Sequence, residues 1–396
     1  MDEQRSRGAG AAKRAGAGVG GGAGGSGGAA AGGTSVGGGA NAASGRIRPV
    51  TGAVTLKQVA AEAEVSLATA SRVLHRSGGR EVRGPLAERV QAAAERLGYV
   101  SNPHAQALAR ARSSTVGLIV HEVTDPYFAA IAAGAMHAAH SDGVMVMMAA
   151  TFRDPELELD YLARLRAQGA RGVLLAGSGS TDERVSSRLA DAIAAFTREG
   201  GRVTAIGARP DTQVDAVIPA NIEGARSARA YLESLGHRKI GVIAGPSTLL
   251  TVRQRIEGVG DGLRTIEADF TREGGYEAAR RMLTEDPAIT ALIALNDLMA
   301  AGVLAAAGEL GRRVPDDLSV IGFDDLPFAA DLSPALTTVR LPLREMGERA
   351  MELLLAKPGQ DSDSEASPVP PTTIDVPTEL VVRASTGPVG GSVRRA

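Results

Sequence analysis

The sequence predicts an N-terminal all-α helix-turn-helix headpiece followed by an α/β body of two doubly wound parallel-sheet lobes. Two observations support this prediction. Apolar residues recur at helical spacing in three short segments between residues 55 and 97. From residue 115 onward, short aliphatic runs alternate with amphipathic helical segments, which is the pattern of parallel sheets covered on both faces. A chain of 396 residues is long enough for two or three such domains.

The region before the headpiece is expected to be a disordered tail. Residues 8–45 are almost wholly Gly, Ala and Ser, so this stretch cannot bury enough apolar surface to offset its ordering entropy. It contains GAGVGG at residues 16–21, which superficially resembles a nucleotide-binding loop. Neither a predicted strand nor a predicted helix flanks that motif, so we interpret it as chance.

Two short helices joined by a tight turn open the headpiece. Thr55 is the expected N-cap of the first helix, and Ser66 is the expected N-cap of the second, which covers 67–74. A third amphipathic helix over 86–97, with Leu86 on its apolar face, would close a three-helix core. This arrangement is typical of a helix-turn-helix, whose second helix can enter the major groove of DNA.

The charge distribution agrees with a nucleic-acid-binding headpiece. Residues 1–112 hold 15 of the 43 Lys and Arg residues but only 7 of the 45 Asp and Glu residues, whereas the rest of the chain is acidic. A basic headpiece on an acidic body indicates that the headpiece binds a polyanion, although ordinary charge scatter remains an alternative.

The body contains seven predicted strands separated by helical segments. Such sheets bind ligands beyond the carboxyl ends of their strands. The predicted strands are 115–120, 144–148, 171–176, 203–206, 240–244, 291–295 and 318–323.

Polar and aromatic residues cluster where these strands end. They are Asp125, Tyr127, Phe128, Arg253, Arg255, Asp269, Phe270, Asn296, Asp297, Asp324 and Asp325. Carboxylates accept pairs of hydroxyl hydrogen bonds and aromatic faces stack on apolar ring faces, so this set suits a sugar or a purine. For three of them the alternative is a purely structural role, since Asp324 and Asp325 can fix loops and Phe270 can be a core residue.

The headpiece resembles the DNA-binding domain of the lactose-repressor/galactose-repressor family, through VTLKQVAAEAEVSLATASRVL and RVQAAAERLGYVSNPHAQALA. The resemblance implies that Leu67 and Ala68 select bases and that Arg72 contacts guanine or phosphate. It also implies a hinge helix at 102–110, with Leu108 wedged into the minor groove. The full set of DNA contacts implied in this way is Thr55, Leu56, Ser66, Leu67, Ala68, Thr69, Ser71, Arg72, His75, Asn102, Ala105 and Leu108.

The same family resemblance extends over the body, through segments such as DPYFAAIAAGA, RQRIEGV, DFTREGGYEAARRML, ALNDLMAAGVL and DLSVIGFDD. It implies a periplasmic-binding-protein-like core and a homodimer that binds pseudo-palindromic operator DNA. A small effector, such as a sugar or related metabolite, would control this transcriptional repressor allosterically. The effector contacts are expected to be Tyr127, Phe128, Arg255, Phe270, Asn296, Asp297 and Asp324.

Three departures from the family pattern affect these expectations. The turn HRSGGREVRGP, from His75 to Pro85, is about two residues longer than is usual and adds arginines that are either phosphate contacts or solvated. The segment 259–265 is much shorter, which would truncate the Arg255 helix and leave a gap beside the second sheet. The residue before Asn221 is not the usual Asp.

Other functions find weaker support in the sequence. No nucleophile elbow, Walker loop or HExxH motif is present, so we expect no catalytic residue, no cofactor and no enzyme activity. His137 and His140 with Asp142 lack a further ligand in a metal-binding pattern, so no metal is expected. The two alternatives that we retain are a DNA-binding regulator with an effector-insensitive core and a solute-binding protein.

The absence of cysteine suits a reducing compartment, and no segment has the pattern of a signal peptide or a membrane span, so a cytoplasmic protein without a membrane partner is expected.

The sequence predicts five regions. They are a disordered tail (1–53), a helix-turn-helix domain (54–101), a hinge (102–113), a two-lobed effector-binding and dimerisation core (114–386) and a flexible tail (387–396).

Overall fold

The structure, a computed structural model, describes residues 54–75, 84–99, 114–356 and 370–390. The headpiece contains three helices, as the periodicity predicts. They are α1 (Leu56–Glu62), α2 (Leu67–His75) and α3 (Pro85–Leu97).

Side chains from all three helices form a small apolar core centred on Val59, Ala70 and Val90. Alanines occupy several of the contact positions, which lets such short helices cross closely. The side chain of Arg89 on α3 donates to the carbonyl of Ala63 over 2.6 Å, which satisfies a free carbonyl at the end of α1. Leu86 is exposed and does not extend this core as expected, because it lies in the first turn of α3.

The first lobe is built on an all-parallel six-stranded sheet in the order β11-β5-β4-β3-β1-β2. Its strands are β1 (Thr115–Val120), β2 (Met145–Ala150), β3 (Gly172–Leu175), β4 (Arg202–Ile206), β5 (Asp215–Pro219) and β11 (Thr373–Val376).

The second lobe repeats this order as β12-β10-β9-β8-β6-β7, with only β12 antiparallel to its neighbour. Its strands are β6 (Ile240–Ala244), β7 (Arg264–Glu267), β8 (Ala291–Ala294), β9 (Ser319–Asp324), β10 (Thr337–Arg340) and β12 (Glu379–Val381). In both sheets the strand order reverses at the first strand of the lobe. The crevice beyond the carboxyl ends at this reversal is where such sheets bind ligands.

Helices cover both faces of each sheet. They are α4 (Pro126–Ser141), α5 (Pro155–Ala167), α6 (Glu183–Arg198), α7 (Asn221–Ser234), α8 (Leu250–Val259), α9 (Arg272–Glu285), α10 (Asp297–Glu309) and α11 (Leu343–Leu355), with a short 3₁₀ helix at Pro327–Ala330. In the first lobe, α4 and α11 pack closely on each other because Gly134 and Gly347 face each other's helix backbone. A Cβ at either position would overlap the carbonyl of Arg344 or Ile131, respectively.

The predicted fold class of a helix-turn-helix headpiece and two parallel-sheet lobes is confirmed. All seven predicted strands are present, with ends that differ by at most two residues. Five further strands were not predicted, namely β5, β7, β10, β11 and β12. The segment from 387 was also expected to be flexible, but Gly387 and Val389 bond to the second lobe, through Ser319 and the carbonyl of Leu235.

The Arg255 helix, α8, ends at Val259, where the shortened segment 259–265 begins. The second sheet nevertheless keeps its edge strand, since β7 pairs with β6 in parallel register. The guanidinium of Arg229 accommodates the short connection by donating to the carbonyl of Val259 over 2.7 Å. A groove lies between β7 and α9, at the edge of the second sheet where a gap was expected.

Candidate functional site: an interlobe cleft and an exposed recognition helix

A cleft lies between the two lobes at the carboxyl ends of β1, β3, β6 and β8. It encloses about 570 Å³ of empty space, including its open mouth. Six of the seven residues expected to contact an effector line it, and they are Tyr127, Phe128, Arg255, Phe270, Asn296 and Asp324.

Asp125 sets the first-lobe wall of the cleft by capping α4. Its carboxylate accepts the backbone N–H of Tyr127 over 2.9 Å, which starts the helix and places Tyr127 and Phe128 at the cleft. The two rings meet edge to face, with centroids 5.0 Å apart. Burial raises the pKa of both the Asp125 carboxyl and the Tyr127 hydroxyl. Tyr127 therefore remains a neutral hydroxyl that can both donate and accept hydrogen bonds.

Arg255 on α8 organises the second-lobe wall. Its Nε donates to the side-chain oxygen of Asn221 and its Nη2 to Asp324, both over 3.0 Å, and its Nη1 donates to the carbonyl of Leu295. The guanidinium stacks 3.7 Å from the ring centroid of Phe323. Asn221 makes this contact although the residue before it is Ala rather than Asp. Arg255 is therefore held rigidly at the cleft.

The carboxylates of Asp324 and Asp325 have separate roles at the end of β9. Asp324 lines the cleft, and burial raises its pKa against the opposing effect of Arg255. Asp325 instead accepts hydrogen bonds from Arg340 and Arg383, over 2.7 and 2.6 Å, so it fixes the loop. Both residues have positive φ angles, of 112° and 55°, a conformation that non-glycine residues adopt at some energetic cost.

Asp297 was expected to face the ligand, and the structure does not place it there. Its side chain is fully buried, and its two oxygens accept the backbone N–H of Leu326 over 2.7 Å and the hydroxyl of Thr338 over 2.6 Å. Burial raises the pKa of this carboxyl to about 7. Asn296, one residue earlier, caps α10 and lines the cleft, while Asp297 anchors the loop that follows Asp324.

Two cleft residues that the sequence analysis missed are Arg153 and His121. Arg153 follows β2 and lies 5.7 Å from the ring centroid of Phe270 on the opposite lobe. Because it follows a predicted strand, it could have been identified in the same way as the other cleft residues. His121 follows β1 directly, and its Nδ1 lies 3.1 Å from the hydroxyl of Thr151.

A short backbone bridge joins the lobes beside the cleft, formed by residues 179–181 and 248–250. The N–H of Thr181 donates to the carbonyl of Thr248 over 2.8 Å, and the N–H of Leu250 donates to that of Gly179 over 2.9 Å. Ser180 and Leu249 stand opposite each other as an antiparallel pair between these bonds. We call this feature the interlobe bridge.

The second helix of the headpiece presents its predicted recognition residues to solvent. Leu67, Ala68 and Arg72 are exposed, and 52% of the Leu67 surface is accessible although it is apolar. The Nε of Arg72 donates to the carbonyl of Ala68 over 3.2 Å. Ser71 is half-buried on the same helix.

Other predicted DNA contacts also stabilise the headpiece. Thr55 and Gln58 form a reciprocal capping box at α1, and Ser66 caps α2 by accepting the N–H of Thr69 over 3.1 Å. Leu56 packs partly into the headpiece core. The side chain of His75, the arginine-rich part of the turn that follows it, and the hinge residues Asn102, Ala105 and Leu108 lie outside the described residues.

Within the described part of the chain, no group of three or more His, Asp or Glu side chains could hold a metal ion. No helix in that part is both long and apolar enough to cross a membrane.

Comparison with known proteins agrees with this architecture. Residues 55–102 match the profile of the bacterial regulatory proteins of the lacI family, and residues 230–386 match that of a periplasmic binding protein-like domain. The chain is 30% identical to the HTH-type transcriptional repressor PurR of Haemophilus influenzae (strain PittEE), over 84% of this chain and 98% of that protein. It is 29% identical to the ribose operon repressor of Halalkalibacterium halodurans, over 84% and 97%.

Solved structures give the same result. A lac repressor dimer bound to operator and the anti-inducer ONPF matches with a TM-score of 0.73 and 27% identity, over 85% of this chain and all of that one. A complex of the transcriptional regulator CelR with cellobiose matches with a TM-score of 0.58 and 31% identity, over 84% and 99%. These relatives are regulators rather than enzymes. The chain belongs to the LacI family of bacterial regulatory proteins.

Proposed function

We propose that this protein is a sequence-specific transcriptional repressor whose affinity for operator DNA is controlled by a small effector bound in the interlobe cleft. The observation that carries the proposal is the presence, in one chain, of an exposed recognition helix and a cleft lined by aromatic, carboxylate, amide and guanidinium groups. The first binds DNA and the second binds a small polar molecule.

The effector is a sugar or a related metabolite with hydrogen-bonding groups around an apolar ring face. The edge-to-face pair of Tyr127 and Phe128, with Phe270 on the other lobe, offers apolar faces, while Asp324 and Asn296 offer hydrogen bonds. A relative solved in complex with cellobiose and another solved with bound ribose support this chemical class. Closure of the lobes on the effector would alter operator affinity, and by linkage operator DNA would alter effector affinity by the same factor.

The DNA-binding form is a homodimer on a pseudo-palindromic operator. A relative solved as a dimer on operator supports this arrangement. Within this chain, the edge strand β2 leaves Met145, Met147 and Met148 exposed, and an apolar strip on a sheet edge suits pairing with a second copy. Residues 102–113 would form the hinge between the headpiece and the core, with Leu108 wedged into the minor groove.

The proposal is tested by replacing Arg72 with alanine in the full chain. An operator is first selected from random duplexes with the wild-type protein, and affinities are then measured by fluorescence anisotropy at a fixed salt concentration. Loss of a base contact worth about 1–3 kcal/mol should weaken specific binding by roughly 5- to 150-fold. Non-specific affinity should fall far less, because phosphate contacts supply most of it.

Arg96→Ala provides the matched control. Arg96 is also an exposed arginine of the headpiece, but it lies on α3 and pairs with Glu62 over 3.3 Å. This variant should bind the operator within about twofold of the wild type, a change of less than about 0.5 kcal/mol. Equal operator affinity for wild type and Arg72→Ala would reject α2 as the recognition helix.

A further inference from the structure

A second cavity adjoins the interlobe cleft; it is lined mostly by the first lobe, with Thr248 and Leu249 of the second lobe at its edge. It is bounded by the first turns of α5 and α6, by the interlobe bridge and by Arg209 after β4. It encloses about 850 Å³ of empty space including its mouth, which is enough for a small polar group. Four residues line both spaces, namely His121, Arg153, Ser178 and Leu249, and they form a partition between the cavity and the cleft.

Arg209 is buried in the wall of this cavity, and two of its side-chain nitrogens lack a hydrogen-bond partner. Only 2% of its side chain is exposed, and its Nη2 donates to Glu158 over 3.1 Å. Its Nε and Nη1 are also buried and have no hydrogen-bond partner within the protein. A buried N–H without an acceptor is costly, and native proteins rarely leave one. These two nitrogens call for an acceptor, which is supplied either by a buried water molecule or by a ligand atom in the cavity.

Arg153 contributes a second guanidinium from the partition between the two spaces. It and Phe152 both have positive φ angles, of 63° and 52°, in the turn between β2 and α5. Two consecutive non-glycine residues in this region store strain, which is typical of functional sites. The Nε of Arg153 is likewise buried without a partner in the protein.

The pKa of His121 reflects its burial and the positive charge of these two arginines. Burial and the positive charges of Arg209 and Arg153 lower its pKa to about 3. The imidazole is therefore neutral at physiological pH and adds no charge. An anion beside the two guanidinium groups would offset their effect on this ring.

Three carboxylates limit the charge that the cavity can accept. Glu158 is paired with Arg209. Asp154 and Asp182 lie exposed in the lining and cap α5 and α6, by accepting the N–H of Glu156 over 2.8 Å and that of Arg184 over 2.9 Å. Two arginines and two helix N-termini against three carboxylates suit a singly charged anion better than a doubly charged one.

We propose that this cavity binds the carboxylate of a small organic acid. The carboxylate comes either from a free acid or from the acid group of the effector, such as a sugar acid whose ring occupies the cleft. The second source rests on the proposed function, whereas the first does not. A singly charged carboxylate accepts the free N–H groups of Arg209 and Arg153, and it carries less charge towards the three acidic side chains than a phosphate does.

The experiment uses the full-length protein with sodium acetate as the probe. Binding is followed by ligand-observed saturation-transfer NMR and by the imidazole resonance of His121, at constant ionic strength set with sodium chloride. Acetate should bind saturably below about 50 mM, as expected for one charge-assisted anion contact. Inorganic phosphate at pH 7.5 should compete less well than acetate.

Val185 provides a pair of matched variants that leave Arg209 and Glu158 intact. It lines the cavity from the first turn of α6, where a helix tolerates a carboxylate well. Val185→Asp places a tethered carboxylate in the cavity and should weaken acetate binding at least tenfold. Val185→Asn has nearly the same shape without the charge and should bind acetate within about threefold of the wild type, a change of less than about 0.7 kcal/mol.

Glucuronate and galacturonate, each compared with its neutral hexose, separate the two sources. Tighter binding of a hexuronate than of acetate, lost in Val185→Asp, assigns the carboxylate to the effector, while acetate binding alone assigns it to a free acid. Absence of saturable acetate binding to the wild type, equal binding by Val185→Asp, or stronger binding of phosphate would overturn the proposal. None of these readings depends on operator binding, so a failure of the proposed function would be recognised separately.

Discussion

Acid should destabilise this protein through His121, because folding holds its imidazole neutral. The folded-state pKa is lowered to about 3, whereas the unfolded chain has the ordinary value of 6.5, so the unfolded state binds the proton more readily. The stabilising effect of this neutral imidazole is fully present above pH 6.5 and is lost as the pH falls towards 3. The shift implies a loss of about 2 kcal/mol at pH 5 and about 5 kcal/mol below pH 3.

Two measurements test this prediction. The Cε1 resonance of His121, in protein labelled at histidine and assigned by His121→Gln, should not titrate between pH 8 and pH 5 in the absence of added organic anions. The same resonance in the denatured protein should titrate near pH 6.5. Between pH 7.5 and pH 5, the wild type should lose about 2 kcal/mol more unfolding free energy than His121→Gln, which cannot be protonated. A folded-state midpoint above pH 5 would refute the reasoning.

Two further predictions concern packing and assembly. Gly134→Ala should lower the unfolding free energy by about 2 kcal/mol or more, because its Cβ would overlap the backbone carbonyl of Arg344. Gly308→Ala is the control, since a Cβ at that position meets nothing within 4 Å. In thermal melts this control should be neutral or stabilising. The double variant Met145→Glu/Met147→Glu should shift the dimer–monomer equilibrium at least tenfold towards monomer in analytical ultracentrifugation, about 1.4 kcal/mol, without changing the circular dichroism. An unchanged equilibrium would exclude β2 from the dimer contact.

The central strands were predictable because each of them is buried on both faces and is therefore almost continuously aliphatic, as in Ile240–Ala244. The five missed strands have three to five residues each, and all of them carry polar residues. β7, at Arg264–Glu267, has only one buried position, and β12, at Glu379–Val381, has none, because both lie at sheet edges. Their existence depends on a neighbouring strand rather than on their own composition.

The candidate site, too, was predictable only in part. The strand-end argument located the cleft, but it could not tell which carboxylate faces it. Asp297 comes after β8 and Asp324 ends β9, yet only Asp324 lines the cleft, whereas Asp297 is buried and bonded to Leu326 and Thr338. Arg209 and Glu158 are separated by 51 residues and meet only through the fold. Such pairings depend on three-dimensional contacts that local patterns do not encode.

The central claim is that movement of the lobes controls DNA binding, and the interlobe bridge allows a direct test. Ser180 and Leu249 face each other at a position without mutual hydrogen bonds, where Cα atoms are about 4.5 Å apart and a disulfide can form. Because the chain contains no cysteine, Ser180→Cys/Leu249→Cys yields only this bond and locks the lobes reversibly.

Operator affinity of this variant should be measured by anisotropy in its oxidised and its reduced forms, with the wild type under both conditions as the control. We predict that oxidation changes the affinity of the double variant at least fivefold, a coupling of about 1 kcal/mol, and leaves that of the wild type unchanged. Equal operator affinity for the locked and unlocked forms would contradict control of DNA binding by the lobes.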